Sequence, residues 1–165
     1  GGAWHLSLAT PPRGTVGEIA LRSGDAALVL RDVLAGDVWL CGGQSNMEMP
    51  LGKHWWSQGV RDHEAVIAAA DLPTLRVFTV KQRTAEQPIQ DVEGQWVVCS
   101  PAVAATFSAT AFFFGRELLA AGKGPIGLVV SCWGGTVAEA WTREQGLTAF
   151  PEFSAELAEI GRAHV

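Results

Sequence analysis

No apolar run in this 165-residue chain reaches the roughly 20 residues that a helix needs to cross a bilayer. No membrane partner is therefore expected. Clusters of lysine and arginine are missing too, and the formal net charge is −5. A nucleic-acid partner is not expected, because phosphate binding relies on a basic patch. Cysteine is scarce: three residues make an odd count and no disulfide framework. No Cys/His spacing resembles a zinc site. Internal repeats are absent, which excludes a solenoid. The chain opens on Gly1-Gly2-Ala3-Trp4-His5, without an initiator methionine or a signal peptide. It reads as starting within a domain, so compartment is left open, as is oligomeric state.

What remains is apolar material for one core. Hydrophobic residues make up 48% of the chain and charged residues 18%, which excludes a disordered segment. A chain of this length can bury about 70% of its unfolded surface. Residues 18–22 and 27–31 are short strand-like runs separated by Ser23-Gly24-Asp25, a hairpin pattern. A boundary is expected near Ala35-Gly36. Beyond it, strand and helix signals alternate. Residues 62–70 read as a short helix stopped by Leu72-Pro73, residues 75–80 as a strand, and residues 81–95 as a polar loop containing Pro88 and Gly94. The strongest helix is expected over residues 106–121. Phe107, Ala111, Phe114 and Leu118 recur there at helical spacing as a core stripe, with Gly122 at the C-cap. Thr142 and Gln145 have capping-box spacing. Alternating strands and helices predict an α/β fold with a parallel sheet covered on both faces.

Two stretches carry the chemistry. Val38-Trp39-Leu40-Cys41 is brief, unalternating and closed by Gly42-Gly43, which reads as a buried strand ending in a tight turn. The first polar side chains after it are Gln44, Ser45 and Asn46. A hydroxyl is thus delivered to the carboxyl end of a strand, where α/β proteins place their reactive groups. The Ser45 N–H is free to face a developing negative charge. On these residues alone, a nucleophile and an ordinary polar turn are equally good readings. The second stretch, residues 126–131, is another strand-like run, followed by Cys132-Trp133-Gly134-Gly135-Thr136. Two strands therefore end alike, each with a glycine pair and a small hydroxyl residue. Glycines there let the backbone approach a substrate and expose N–H donors.

Together, Asp37-Val38-Trp39-Leu40-Cys41 with Gly43-Gln44-Ser45-Asn46-Met47, and Trp133-Gly134-Gly135-Thr136 with Glu139-Ala140-Trp141, resemble the sialate O-acetylesterase family of SGNH hydrolases. The resemblance runs from about Leu30 to Leu147. It implies a three-layer α/β/α, flavodoxin-like parallel sheet preceded by the end of a β-sandwich domain. On that reading residues 1–35 are closing strands of the sandwich and residues 36–158 the first part of the esterase domain. It implies Ser45 as the nucleophile, with the Ser45 N–H and that of a glycine in Gly134-Gly135 as oxyanion donors. The implied partner is an acetylated sugar, sialic acid or a polysaccharide unit. Neither metal nor organic cofactor is needed for serine-based ester hydrolysis. Family members are often secreted or periplasmic. Gln44 and Asn46 flank the serine and could orient substrate or hold the turn; Glu139 could orient substrate or serve as a structural hydrogen-bonding partner.

Two blocks of the family pattern have no match. One is a later asparagine, the third oxyanion donor; the other is an Asp-x-x-His, source of the general base. Asp62-His63 are adjacent, and position 47 is Met rather than the second glycine of Gly-x-Ser-x-Gly. Residues 159–165 read as a translated sequencing-adapter tail rather than a continued helix, so His164 is set aside. The chain on its own is then expected to be catalytically incompetent. The alternative function is a carbohydrate-binding or scaffold module that keeps the fold without turnover. Cys41 and Cys132 each close a strand and are expected to pack as buried thiols near one another. His54, Trp55 and Trp56 suit either a sugar-stacking or a packing role, and His63 is expected to be exposed.

Overall fold

The computed structural model describes residues 5–85 and 89–153; Pro88 and the tail with His164 lie outside them. Strands β1 (Val16–Ser23) and β2 (Ala26–Leu34) form an antiparallel hairpin. Its tight turn places Gly24 at φ +57°, a conformation in which a Cβ is strained. After it come β3 (Asp37–Gly43), α1 (Ser45–Glu48), α2 (His63–Ala68), β4 (Leu72–Thr79), β5 (Trp96–Cys99), α3 (Ala109–Ala120), β6 (Ile126–Cys132) and α4 (Glu144–Leu147). Strand order in the main sheet is β3-β6-β4-β5. The pairs β3·β6 and β6·β4 are parallel, and β4·β5 is antiparallel. The chain is thus mixed α/β with a parallel-containing sheet.

Strand β5 makes the sheet mixed rather than purely parallel. It follows the polar loop with an aromatic and β-branched run, Trp96-Val97-Val98, a strand signal too short to stand out from its neighbours. Among the described residues, the helices that pack on the sheet lie on one face. On that face Cys41, Leu75, Val77, Ile126, Leu128 and Val130 are buried in one cluster with residues of α3. The other face carries Val38, Leu40, Trp96 and Val98, which are 63%, 76%, 48% and 39% exposed. The run Val38–Cys41 is unalternating because both faces of β3 are apolar, yet only Cys41 is buried.

Helix α3 starts where Ser108 caps it, its hydroxyl accepting the Ala111 N–H at 3.2 Å. It ends in a Schellman arrangement: the Lys123 N–H donates to the Leu118 carbonyl and the Gly122 N–H to that of Leu119, with Gly122 at φ +70°. The helix crosses the sheet closely at Gly115, where a Cβ would stand 2.7 Å from Leu75 Cδ1 and 3.0 Å from Leu128 Cδ1. The buried phenylalanine on this face is Phe112, not Phe114. Phe114 is 40% exposed and meets Trp39 edge to face at 5.2 Å. Near the other end of the chain, the Thr142 hydroxyl donates to the Ala138 carbonyl instead of capping α4.

All three cysteines are free; Cys41 and Cys99 are buried, and Cys132 is half-buried rather than buried. Cys41 is opposite Val130 and Cys132 opposite Gly43, which sets the two thiols on one face of adjacent strands. Burial pushes the Cys132 thiol up to about 11, with the Glu48 carboxylate and Cys41 adding to the effect. Burial likewise raises Cys99 to about 11 and moves Cys41 in the same direction.

Two predictions follow from this packing. Phe112→Ala should cost about 3–5 kcal/mol because it opens a cavity between α3 and the sheet. Phe114→Ala should cost about 1 kcal/mol or less. Urea denaturation of both variants checks the order, and equal losses would contradict the assignment. The folded thiols hold their protons more tightly than unfolded ones, so their stabilising effect is complete below the ordinary thiol pKa of roughly 8.5 and is lost as pH rises toward 11. At pH 7 a thiol reagent should label neither Cys41 nor Cys99 in the native chain and all three cysteines after unfolding, as read by mass spectrometry.

Candidate active site

The in-register pairing of β3 with β6 puts Gly43 beside Cys132. The Trp133 N–H then donates to the Gly43 carbonyl at 3.1 Å, so both loops leave the same edge of the sheet together. Gly43, at φ +151°, turns the chain into α1, and Gln44 is its N-cap. Ser45 is the first helical residue. Helix α1 is one turn long and is fastened from outside. The Ala109 N–H donates to the Met49 carbonyl at 2.8 Å and the Leu51 N–H to the Phe107 carbonyl at 3.0 Å. The Thr110 hydroxyl donates to the Asn46 carbonyl at 2.9 Å. Leu51 is fully buried beneath this junction.

One oxygen atom is the focus of the site. Gln44 Oε1 accepts from the Ser45 N–H at 3.0 Å, the Ser45 hydroxyl at 2.6 Å and the Gly135 N–H at 3.3 Å. Two backbone donors from the ends of neighbouring strands therefore converge on one carbonyl-type oxygen, with the serine hydroxyl beside them. Gly135 sits at φ +80°, which lets its N–H turn back toward Ser45. The Gly134 N–H goes elsewhere, to Glu48 Oε2 at 2.6 Å. Gly134 itself lies close against the serine: a Cβ there would stand 3.6 Å from Ser45 Oγ.

Glu48 and Gln82 were not among the residues singled out from the sequence. Glu48 Oε1 accepts from Gln82 Nε2 at 2.7 Å, and the same nitrogen donates to the Cys132 carbonyl at 3.1 Å. The spacing of Glu48 three residues after Ser45 offered one signal, since such positions share a helix face. Gln82 lies in the loop after β4 and carries no local signal.

The remaining candidates are more dispersed. Gln44, Ser45 and Asn46 are all exposed. Glu139 is half-buried in a 3-10 turn, Ala138–Trp141, and its carboxylate has no hydrogen-bond partner among the described residues. The structural bond in that turn is made by Trp141, whose Nε1 donates to the Thr136 hydroxyl at 2.7 Å. His54 packs near Trp55 and Trp56, with ring centroids 5.9 and 5.8 Å away. His63, at the start of α2, is half-buried rather than exposed. Among the described residues no histidine hydrogen-bonds to Ser45, and no group of three or more His, Cys, Asp or Glu could hold a metal.

A cavity of about 630 Å³ lies at the opposite end of the strands, between the hairpin and the open sheet face. Arg76, Asp32, Trp96 and Gly127 are among its walls, and no residue of 44–48 or 134–135 is. Among the described residues its lining holds no hydroxyl or thiol nucleophile.

Comparison with known proteins identifies the family. The family model described as "Carbohydrate esterase, sialic acid-specific acetylesterase" matches residues 35–162. The chain is 34% identical over 146 residues to the sialate O-acetylesterase of Rattus norvegicus, covering 84% of this chain and 26% of that protein. To the sialate O-acetylesterase of Homo sapiens it is 36% identical over 130 residues, 74% of this chain and 24% of that one. A crystal structure of a carbohydrate acetylesterase from Xanthomonas citri matches at TM-score 0.71 and 39% identity, covering 79% of this chain and 29% of the other. The chain thus spans about a quarter of the length of the curated relatives it matches. With both strand-end motifs inside the matched region, the chain belongs to the sialic acid-specific acetylesterase family of carbohydrate esterases.

Proposed function

We propose that this chain supplies the nucleophile and two oxyanion donors of a carbohydrate O-acetylesterase. The observation that carries the reading is the convergence of the Ser45 and Gly135 N–H groups on one oxygen atom. In the proposed reaction the acetyl carbonyl oxygen takes the place of Gln44 Oε1. Ser45 Oγ attacks the acetyl carbon and forms a tetrahedral intermediate whose oxyanion rests on the two N–H groups. The sugar hydroxyl departs with a proton, leaving an acetyl-serine ester, and water releases acetate. The Gly134 N–H is committed to Glu48, so within the glycine pair oxyanion donation falls to Gly135. No cofactor takes part. The relatives' names point to acetylated sialic acid or another acetylated sugar as substrate. In the same proposal the sheet is one side of an SGNH-type three-layer core, and β1–β2 is the closing edge of a preceding β-sandwich.

The general base is not supplied by the groups in contact with the serine. Ser45 Oγ hydrogen-bonds to Gln44, and no Asp-x-x-His occurs in the sequence. An unactivated serine hydroxyl is a weak nucleophile. The 165-residue chain alone should therefore give background hydrolysis of an acetyl ester and no stoichiometric labelling by a fluorophosphonate. Labelling at Ser45 would reveal a base within the chain.

In the full-length gene product, Ser45→Ala should lower acetate release from an acetylated sugar by roughly a million-fold. Stability should change by no more than about 0.5 kcal/mol, because the side chain is exposed. Activity that survives the substitution would remove the serine mechanism. A wild-type protein that binds the sugar without releasing acetate would favour the binding-module reading.

A further inference from the structure

The Gly135 N–H can point at Ser45 only if the loop after β6 is held in one conformation. That loop is exposed at Gly135, and glycine pairs are the least restrained backbone there is. Something must therefore fix it. The Thr136 hydroxyl donates to the Trp133 carbonyl at 2.7 Å, and three further bonds surround Trp133. Its own N–H is held by the Gly43 carbonyl. The carbonyl before it, on Cys132, accepts from Gln82. The N–H after it, on Gly134, donates to Glu48.

Two of these three restraints meet at Glu48. Its carboxylate bridges the Gly134 N–H at 2.6 Å and the Gln82 amide at 2.7 Å, short distances of the kind charge-assisted bonds adopt. The group is half-buried. It joins the loops that follow β3, β4 and β6 at a single point. It also accounts for the glycine at 134, where a Cβ would stand 2.5 Å from Glu48 Oε2. Glu48 and Ser45 are the two ends of α1, so whatever fixes the carboxylate fixes the serine relative to the loop.

We propose that Glu48, braced by Gln82, is a positioning residue that sets the Gly135 N–H for the transition state; this rests on the serine-esterase reading above. The carboxylate does not touch substrate. Its action is to hold the Gly134-Gly135 peptide so that the Gly135 N–H, rather than that of Gly134, converges with the Ser45 N–H.

The test uses the full-length gene product with an acetylated sugar, and Ser45→Ala as the reference for lost chemistry. Removing an oxyanion donor costs about 100- to 1,000-fold in kcat, and misplacing one costs less. Glu48→Ala should lower kcat about 10- to 100-fold with KM within about threefold. Glu48→Gln keeps an acceptor for the Gly134 N–H and should recover kcat to within about threefold of wild type. Gln82→Ala removes the brace alone and should fall between wild type and Glu48→Ala. Should Glu48→Ala fail to fold, Gln82→Ala decides in its place by the same split of kcat from KM. A Glu48→Ala enzyme with wild-type kcat, or with only KM raised, overturns the positioning role while Ser45→Ala remains inactive. If Ser45→Ala is also fully active, the serine mechanism and this inference fall together.

Discussion

The parallel pairing of β3 with β6 is the constraint on which the site depends. It runs unbroken from Asp37 opposite Ile126 to Gly43 opposite Cys132. Because the side-chain period of a strand is two, a slip by one residue would exchange the two faces of β6. Leu128 and Val130 would leave the core for the open face, and Cys132 would no longer stand opposite Gly43. The hydrophobic pattern of the covered face, completed by Gly115 of α3 lying against Leu75 and Leu128, is thus what aligns the two strand-end loops. The geometry of the sheet edge is set by packing several residues away.

Alignment alone does not aim a backbone donor. The edge adds a second layer of restraint, made of polar groups from separate parts of the chain. Gln44 gathers the Ser45 and Gly135 donors, and Glu48 takes the neighbouring Gly134 donor. Adjacent N–H groups thereby point to different acceptors, which a glycine pair tolerates because Gly135 can adopt φ +80°. Outside the loop, α1 is too short to be stable as an isolated helix. It persists because the Met49 carbonyl, the Leu51 N–H and the Asn46 carbonyl are bonded to the segment around α3.

Much of this was legible in the sequence, and the reasons differ from part to part. The hairpin, β3, β6 and the Gly122 stop of α3 follow from local patterns of alternation, glycine and length. So do the strand-end motifs, whose paired glycines and hydroxyls signalled both the edge and the family. Phe114 was misplaced because Phe112, Phe113 and Phe114 are consecutive. Any one of them fits a helical period, and only docking against Leu75 and Leu128 selects the buried face. The open face of the sheet has a related lesson: an apolar strand signals that both its faces can be buried, and carries no sign of which element covers each. Glu48 and Gln82 were missed because their partners are distant in sequence: 34 residues separate them, and 86 separate Glu48 from Gly134. No local pattern encodes such a contact.

Gln44 gives the site a further physical property. Its amide oxygen satisfies two backbone donors and one hydroxyl that would otherwise face water. A substrate carbonyl oxygen is a neutral acceptor of the same kind, so exchanging one for the other is close to an even trade in the ground state. The balance changes as the carbonyl becomes tetrahedral and its oxygen gains charge. Hydrogen bonds to an ionised acceptor are roughly twice as strong as those between neutral groups, and the amide oxygen of Gln44 cannot acquire that charge. On the proposed mechanism, the two N–H groups therefore discriminate little against their resting occupant when the ester binds and strongly in favour of the oxyanion when it reacts. That is the differential binding that accelerates a chemical step rather than merely tightening the complex.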